Sequence, residues 1–340
     1  MRGRVLAAVF LLITLCAVAP AQAALTGFYS LTGPVGVSTD GFGSTSGTGT
    51  ISANVPAGAT VVAAFLYTAT SNNGTHFGVS STLNGTAVAY GAPVVNPDIC
   101  CSNAMARADV TAIVAPVIDG GPGGVYNFTV TEGSSSTQDG EALVVVYSLP
   151  GAPTATVGIL DGFSATSGDT TSINFATPLD PTVPGFLAEM YLGIDFSCGD
   201  SNCGGVQSSR VTVNGTIITE NAGNYDDAVP GPPGNAVNGA LITVGSFDDP
   251  YSPMLPSYAD DHERYNLVPN ITNGDMSIIV NNLNPSADDN IFLAVFNVTG
   301  EAGINEPPPT TEVPEPASMT LFGLGLMGAG LKRYRNRRKA

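Results

Sequence analysis

The tripeptide Asn84-Gly85-Thr86 lies between two short stretches of strand-forming residues, and Asn214-Gly215-Thr216 repeats it in the second half of the chain. Asn-Gly is the strongest short-range signal for a β-hairpin, because a type I′ turn needs a positive φ angle at both central residues. Each tripeptide is therefore expected to close a hairpin. Its recurrence predicts an all-β body that contains an internal duplication.

Strand-like stretches around the two hairpins recur in the same order, with turn residues between them and no long helical period. In the first half they are 61–67, 107–113, 125–130 and 141–147. In the second half they are 186–191, 264–271, 276–280 and 290–296. This order predicts two related β-sandwich or jelly-roll modules, residues 24–150 and 151–302.

Charge is unevenly distributed along the 340 residues, whose formal net charge is −17. Between residues 24 and 331 the chain has all 28 acidic residues and no lysine, and its only arginines there are Arg107, Arg210 and Arg264. Such a body repels nucleic acid and anionic lipid, so neither is an expected partner. Divalent cations and cationic partners fit this charge better.

The N-terminus reads as a signal peptide over residues 1–23. Arg2 and Arg4 supply the positive charge, residues 5–18 form the apolar core, and Ala21-Gln22-Ala23 is a small-residue cleavage site. The sequence therefore predicts export, with Ala24 as the new N-terminus.

The C-terminal segment, residues 313–340, follows a Pro-rich linker over residues 303–312 and has three parts. Pro314-Glu315-Pro316 comes first, an apolar stretch over residues 317–331 follows, and a basic tail over residues 332–339 completes it. As a helix the apolar stretch would be about 22 Å long, short of the ~30 Å hydrocarbon core. Long basic side chains that reach the interface make up this difference, so a transmembrane helix with a cytoplasmic C-terminus is predicted.

These three parts, in this order, resemble the PEP-CTERM sorting signal of bacterial surface proteins. The resemblance implies that an exosortase cuts near Pro314-Glu315-Pro316. The precursor would then be held in the inner membrane by its C-terminal helix, and the released body would reach the cell surface or the extracellular space. An ordinary anchor that is never removed is the alternative.

Four cysteines fall in the predicted body, namely Cys100, Cys101, Cys198 and Cys203. An even number of cysteines in an exported protein favours disulfide bonds. A local Cys198–Cys203 bridge would force a vicinal bond between Cys100 and Cys101, whereas either crossed pairing would join the two halves. The sequence leaves these pairings open.

No catalytic motif is evident. The chain has two histidines and neither a G-x-S-x-G elbow nor an H-E-x-x-H pattern, because Arg264 follows His262-Glu263. His262 is expected on a loop surface, and the protein is expected not to be an enzyme. Calcium is the one cofactor that the sequence suggests, because acidic doublets occur in loops and calcium binds six to eight oxygens. The candidate ligands are Asp260, Asp261, Glu263, Asp288, Asp289 and Asn290.

Together these features predict an exported, non-enzymatic surface or extracellular-matrix protein. Its expected role is structural or adhesive within an exopolysaccharide or biofilm matrix, with exopolysaccharide as a partner. A calcium-dependent glycan-binding module is the alternative, although the absence of tryptophan weakens it. A polysaccharide hydrolase is third.

Overall fold

The computed structural model describes residues 24–43, 46–70, 79–96, 103–133, 138–195, 209–220, 241–256, 260–285 and 290–307. The predicted signal peptide and the sorting segment, residues 313–340, lie outside these ranges. Among the described residues no helix is both long and apolar enough to cross a membrane.

The regular secondary structure of the described residues is mostly β-strand, as predicted. The strands of the first half are β1 (Thr26–Gly33), β2 (Val35–Phe42), β3 (Thr48–Val55), β4 (Thr60–Thr70), β5 (Ser81–Leu83), β6 (Thr86–Ala87), β7 (Val94–Val95), β8 (Ala104–Asp109), β9 (Gly124–Glu132) and β10 (Gly140–Ser148). Those of the second half are β11 (Ala155–Asp161), β12 (Asp169–Phe175), β13 (Ala188–Asp195), β14 (Arg210–Val213), β15 (Thr216–Thr219), β16 (Thr243–Val244), β17 (Arg264–Asn266), β18 (Ser277–Leu283), β19 (Asn290–Thr299) and β20 (Ala302–Ile304). Helix α1 covers Thr111–Ile118, and a 3-10 turn covers Val268–Asn270.

The strands form four antiparallel sheets. Sheet I has the order β2-β10-β4-β8-β7, and sheet II has the order β3-β9-β5-β6. Sheet III has the order β1-β11-β19-β13-β16, with β17 also paired to β13, and sheet IV has the order β15-β14-β18-β12-β20. The path β2-β10-β4-β8 in sheet I corresponds to β11-β19-β13-β17 in sheet III, and β3-β9-β5-β6 corresponds to β12-β18-β14-β15. The two halves therefore pair their strands in the same order.

Three apolar cores separate these sheets, so the layers are stacked in the order II, I, III, IV. Ile51, Leu66 and Phe128 belong to the core between sheets II and I. The core between sheets III and IV is built in the same way. A middle core joins sheet I to sheet III and contains Tyr67 and Phe292, both with 0% exposure. Because sheets I and III are covered on both faces, their strands are apolar without strict alternation.

Strand β1 crosses the predicted module boundary at residue 150. It pairs antiparallel with β11, from Thr26 opposite Asp161 to Gly33 opposite Ala155, and so forms the edge of sheet III. Strand β2 follows directly in sequence but lies in sheet I. The division of the chain at residue 150 stays a prediction, and sheet III takes a strand from each side of it.

Both Asn-Gly hairpins form as predicted. The φ angles are 49° and 74° at Asn84 and Gly85, and 48° and 82° at Asn214 and Gly215. Each asparagine also holds the neighbouring strand. The side-chain oxygen of Asn84 accepts a hydrogen bond from the Thr129 amide at 2.8 Å, and that of Asn214 accepts one from the Ile279 amide at 2.9 Å.

Two predicted strand-like stretches end earlier than the sequence indicates. Residues 107–113 leave the sheet after Asp109, whose side chain accepts a hydrogen bond from the Thr111 amide at 2.9 Å and so turns the chain into α1. Residues 264–271 leave the sheet after Asn266, which accepts a hydrogen bond from the Val268 amide at 3.1 Å. In both cases a short polar side chain offers the backbone an alternative to the sheet.

Candidate functional site

Some of the predicted site residues lie outside the described ranges. These are Pro314-Glu315-Pro316, all four cysteines, Asp288 and Asp289. Asp261 and Glu263 are buried side by side, whereas Asp260 is exposed. Asn290 begins β19, and its amide oxygen accepts a hydrogen bond from Asn96 instead. Within the described ranges no group of three or more His, Cys, Asp or Glu side chains could hold a metal ion.

His262 is not on a loop surface, contrary to the expectation. Its side chain is 8% exposed, and its backbone amide donates a hydrogen bond to Ser252 at 2.8 Å. Burial lowers the pKa of the imidazole, although Asp261 and Asp260 oppose this effect. The acidic neighbourhood predicted for a surface loop is therefore folded into the protein.

Asp261 and Glu263 form a buried carboxyl pair, each with 0% exposure. The hydroxyl of Tyr265 lies 2.9 Å from an oxygen of Asp261 and 3.1 Å from one of Glu263. Thr219 donates a second hydrogen bond to Asp261 at 3.1 Å. Burial raises the pKa of Asp261, while these hydrogen bonds act in the opposite direction. Hydroxyl donors thus surround this pair.

Glu132 and Glu141 form a second carboxyl pair between sheets I and II. Gln138 donates hydrogen bonds to Glu141 at 3.3 Å and to Ser81 at 3.0 Å, and Ser81 in turn bonds Glu141. Burial and then the Glu141 charge raise the pKa of Glu132 to about 9. Burial raises the pKa of Glu141 to about 7, against the hydrogen bonds it accepts. Near neutral pH this pair therefore retains a proton.

Asp139 and Asp195 form the third pair, between sheets I and III. Asp195 has 0% exposure, and neither of its carboxyl oxygens has a hydrogen-bond partner. Burial, and then the adjacent Asp139 carboxyl, raise the pKa of Asp195 well above its usual value. The Asp139 backbone is fixed by hydrogen bonds to Ala69 and Ile242. In contrast to Asp261, Asp195 is buried without a donor.

All three pairs lie toward one end of the stacked sheets, which we call the acidic end. Glu132 and Asp195 are the last residues of β9 and β13, and Asp139 directly precedes β10. Thr219, the donor to Asp261, is the last residue of β15. Their antiparallel partner strands begin at the same end. Ser81, the first residue of β5, pairs with Glu132, and Asn290, the first residue of β19, pairs with Asp195.

The arginines of the body are bound to other acids. Arg107 pairs with Asp161, and Arg210 pairs with Glu220 at 2.8 Å. Arg264 pairs with Glu189 at 3.0 Å. Arg107 and Arg264 lie opposite Tyr67 and Tyr191 on the neighbouring strands, in corresponding places of the two halves. The body has no lysine, and within the described ranges each of its three arginines forms an ion pair with an acid outside the three carboxyl pairs.

The geometry limits what these pairs can do. A glycosidase needs two carboxyl groups that touch the substrate on either side of the scissile bond. Asp195, Asp261, Glu141 and Glu263 each have 0% exposure. Three surface grooves of about 310 to 480 Å³ are lined by none of the three pairs. The pairs can share protons or enclose a small cation, but they do not face an open cleft.

Four of these six acids were not among the sequence candidates, which favoured acidic doublets in loops. Glu132, Asp139, Glu141 and Asp195 each stand alone next to a strand end. The available signal was an acid directly joined to a long apolar stretch, as in Glu141-Ala-Leu-Val-Val-Val. Such a position predicts a buried carboxyl group, because sheets covered on both faces have no solvated side.

Comparison with known proteins gives one family match. The model of the PEP-CTERM protein-sorting motif matches residues 312–336. No curated protein matches the sequence. Among solved structures, the major capsid protein P2 of bacteriophage PM2 is 11% identical over 79% of this chain and 98% of its own, with a TM-score of 0.19.

A second solved structure, the pilus backbone protein RrgB of Streptococcus pneumoniae, is 8% identical over 62% of this chain and 47% of its own, with a TM-score of 0.18. Likenesses this weak establish neither a shared fold nor a shared function. The sorting motif by itself implies an exported protein that an exosortase sorts to the cell surface. The protein is thus one that carries a PEP-CTERM sorting motif at its C-terminus.

Proposed function

We propose that this chain is a non-enzymatic surface or extracellular-matrix protein, delivered by exosortase processing and structural or adhesive in an exopolysaccharide layer. The observation that carries the proposal is the sorting motif at residues 312–336. On this proposal an inner-membrane precursor, held by the apolar stretch over residues 317–331, is cut near Pro314-Glu315-Pro316. The four-layer β-body, built from two modules related by duplication, is then released.

The described body supports a structural role in two ways. Its three cores make a continuous stack in which the two halves of the chain share the middle core. Its buried carboxyl pairs lie away from the three surface grooves, and none of these grooves is lined by the two carboxyl groups that a glycosidase uses. A non-enzymatic role is therefore favoured.

Processing is tested by changing Pro314, Glu315 and Pro316 together to alanine in the native host. We expect a larger, membrane-associated form to accumulate, detected by immunoblotting of cell fractions. The matched control changes Glu306, Pro308 and Pro309 to alanine, which alters the same residue types in the preceding linker. Normal processing of the motif variant would refute the sorting part of the proposal.

Matrix association is tested separately on the processed protein. We expect it to co-sediment with exopolysaccharide purified from the same host, and the motif variant to be depleted from the matrix fraction. Co-sedimentation that requires added calcium would favour the calcium-dependent glycan-binding alternative. Turnover of a polysaccharide that is lost in Asp275→Asn, a variant of an acid that lines one of the surface grooves, would favour the hydrolase instead.

A further inference from the structure

Two of the three surface grooves adjoin each other in the second half of the chain. Their volumes are about 310 and 450 Å³, and Pro269 and Asn270 line both of them. Together they follow the 3-10 turn over Val268–Asn270, from Tyr251 to Asp275. We call this combined surface the tyrosine groove. Each volume is within the range of about 300–1,000 Å³ that is usual for small-ligand sites.

One half of the tyrosine groove is apolar and contains an aromatic ring that is fixed in place. Tyr251, Met254 and Pro269 line this half. The Tyr251 hydroxyl donates a hydrogen bond to Glu189, and the guanidinium carbon of Arg264 lies 4.6 Å from the centre of the ring. Arg264 does not line the groove, so its cation covers the ring from outside the groove. Because Tyr251 is 41% exposed, a preorganised aromatic surface is open to a ligand.

The other half of the groove presents hydroxyl and amide groups. Its lining residues include Asn214, Thr216, Thr272 and Ser277. The side-chain amide of Asn214 donates a hydrogen bond to the Asn270 carbonyl oxygen at 2.8 Å, which joins the 3-10 turn to the second Asn-Gly hairpin. The polar groups therefore lie on two elements that hold each other in position. An aromatic surface beside hydroxyl and amide groups matches a sugar, whose ring has C–H groups on its faces and hydroxyls around its rim.

The backbone beside the groove is closed to an added peptide strand. Strand β15 is an edge of sheet IV, and its Thr216 and Ile218 line the polar and the apolar half respectively. A free sheet edge would favour an extended peptide as the ligand. The Leu255 amide, however, donates a hydrogen bond to the Ile218 carbonyl oxygen at 2.7 Å, and Leu255 has a φ angle of 51° that leucine rarely adopts. This loop thus occupies the edge, so a ligand of the groove is recognised by side chains.

Charge distinguishes between classes of polysaccharide. Among the described residues that line the groove, Asp275 is the only Asp, Glu, Lys, Arg or His. The body has 28 acids against three arginines, and each arginine is ion-paired with an acid, so an anionic polysaccharide is repelled. We propose that the tyrosine groove binds a neutral polysaccharide, with one sugar ring stacked on Tyr251 and its hydroxyls hydrogen-bonded by the polar half. This inference rests on the proposed function and assigns the exopolysaccharide partner to one surface.

The test uses the processed protein purified from the native host, in the presence of chelator. The probes are the neutral and the anionic fractions of the exopolysaccharide of that host, separated by anion exchange. In affinity electrophoresis the neutral fraction should retard the wild type, and the anionic fraction should not. Tyr251→Ala should weaken binding about tenfold or more, because it removes the aromatic anchor. Tyr251→Phe keeps the ring and should bind nearly as well as the wild type.

Tyr29→Ala is the matched control, because Tyr29 lines the separate groove beside β1 and β20. It should bind the neutral fraction as the wild type does. Met254→Glu decides the question if Tyr251→Ala does not fold, because Met254 is 58% exposed and its replacement leaves the cores intact. A solvated carboxylate on the apolar half should also weaken binding about tenfold or more. Circular dichroism checks the fold of each variant.

The outcomes separate the groove from the proposed function. Wild-type binding that Tyr251→Ala and Met254→Glu retain would overturn the groove and leave the proposed function standing. An equal loss in Tyr29→Ala, or preferential binding of the anionic fraction, would also overturn the groove. Binding that appears only with added calcium would overturn it in favour of the calcium-dependent alternative. A wild type that binds neither fraction, with or without calcium, would contradict the adhesive part of the proposed function as well.

Discussion

Replacing Glu132 with glutamine should make the protein more stable in mild alkali. The pKa of Glu132 is raised from its usual value of 4.5 to about 9, by burial first and then by the adjacent Glu141. The folded state therefore holds a proton that the unfolded state releases above about pH 4.5. The free energy of unfolding is consequently highest in acid and falls as the pH rises toward the folded pKa.

The size of the effect follows from the pH range between the pKa of Glu132 in the unfolded state and its pKa in the folded state. Each pH unit in which the folded state binds one extra proton lowers stability by about 1.4 kcal/mol. Between pH 5.5 and 8.5 one shared proton gives an upper bound of about 4 kcal/mol by the same conversion. Glu132 is the last residue of β9, where solvent relaxes and screens the charge, so we expect about half of this, roughly 2 kcal/mol.

Glutamine preserves the volume of the side chain. It also donates a hydrogen bond to Glu141, which replaces the repulsion between the two carboxylates. Relative to the wild type, Glu132→Gln should therefore gain about 2 kcal/mol at pH 8.5 and change by less than about 0.5 kcal/mol at pH 5. Urea unfolding followed by circular dichroism, in chelator at both pH values, measures the difference. Tyrosine fluorescence is a second probe, because the chain has no tryptophan.

The matched control is Glu306→Gln, the same substitution at an exposed residue, which should change stability by less than about 0.5 kcal/mol at either pH. A variant that loses stability at pH 8.5 would refute the reasoning. So would a gain of equal size at both pH values, because it would arise from packing rather than from the proton. Burial also raises the pKa values of Asp40 and Asp249 to about 7. These two groups change the stability of the wild type and of Glu132→Gln equally, so their effect cancels from the difference.

Three further substitutions test the fold itself, each by urea unfolding at pH 6. Phe292→Ala removes a fully buried ring from the middle core and should lower stability by about 3–5 kcal/mol. Val125→Ala, at a 57% exposed position, should cost less than about 1 kcal/mol, and equal effects of the two substitutions would mean that the middle core is not tightly packed. Arg264→Met leaves the buried Glu189 with the hydroxyls of Tyr191 and Tyr251 but without its cation, and should cost about 3–5 kcal/mol. Arg210→Met at an exposed ion pair should cost at most about 1 kcal/mol, and a harmless Arg264→Met would contradict the burial argument. Asn214→Ala loses both the positive-φ preference and the hydrogen bond to β18 and should cost about 1–3 kcal/mol, so an unchanged midpoint would show that this hairpin contributes little.

The hairpins and the recurring order of strands could be predicted from the sequence, because Asn-Gly and alternating apolar residues are local signals. The ends of two stretches could not. Val110 to Ile113 are mostly apolar or β-branched residues, yet the Asp109 side chain turns the backbone into α1. Whether a short polar residue caps a helix or stays in a strand depends on the sheet beside it, which the local sequence does not contain.

The stacking of the halves was left open by the sequence, although a signal was present. Stretches 61–67 and 141–147 are apolar at nearly every position, which indicates strands covered on both faces. The carboxyl pairs were even harder to predict from the sequence. With 28 acids in the body, any pair is one choice among many, and contact between Asp139 and Asp195 arises only when β10 and β13 come together in space.

Strand β1 has a consequence for the order in which the protein can fold. A secreted chain emerges from its N-terminus, so β1 is the first segment of the body to leave the cell. Its partner β11 follows more than a hundred residues later, since Thr26 and Asp161 are 135 positions apart. Until then β1 is a strand edge without a ladder, and closing so long a loop is slow. Completion of sheet III therefore waits for the second half of the chain, whereas sheets I and II contain only strands of the first half and can form before it.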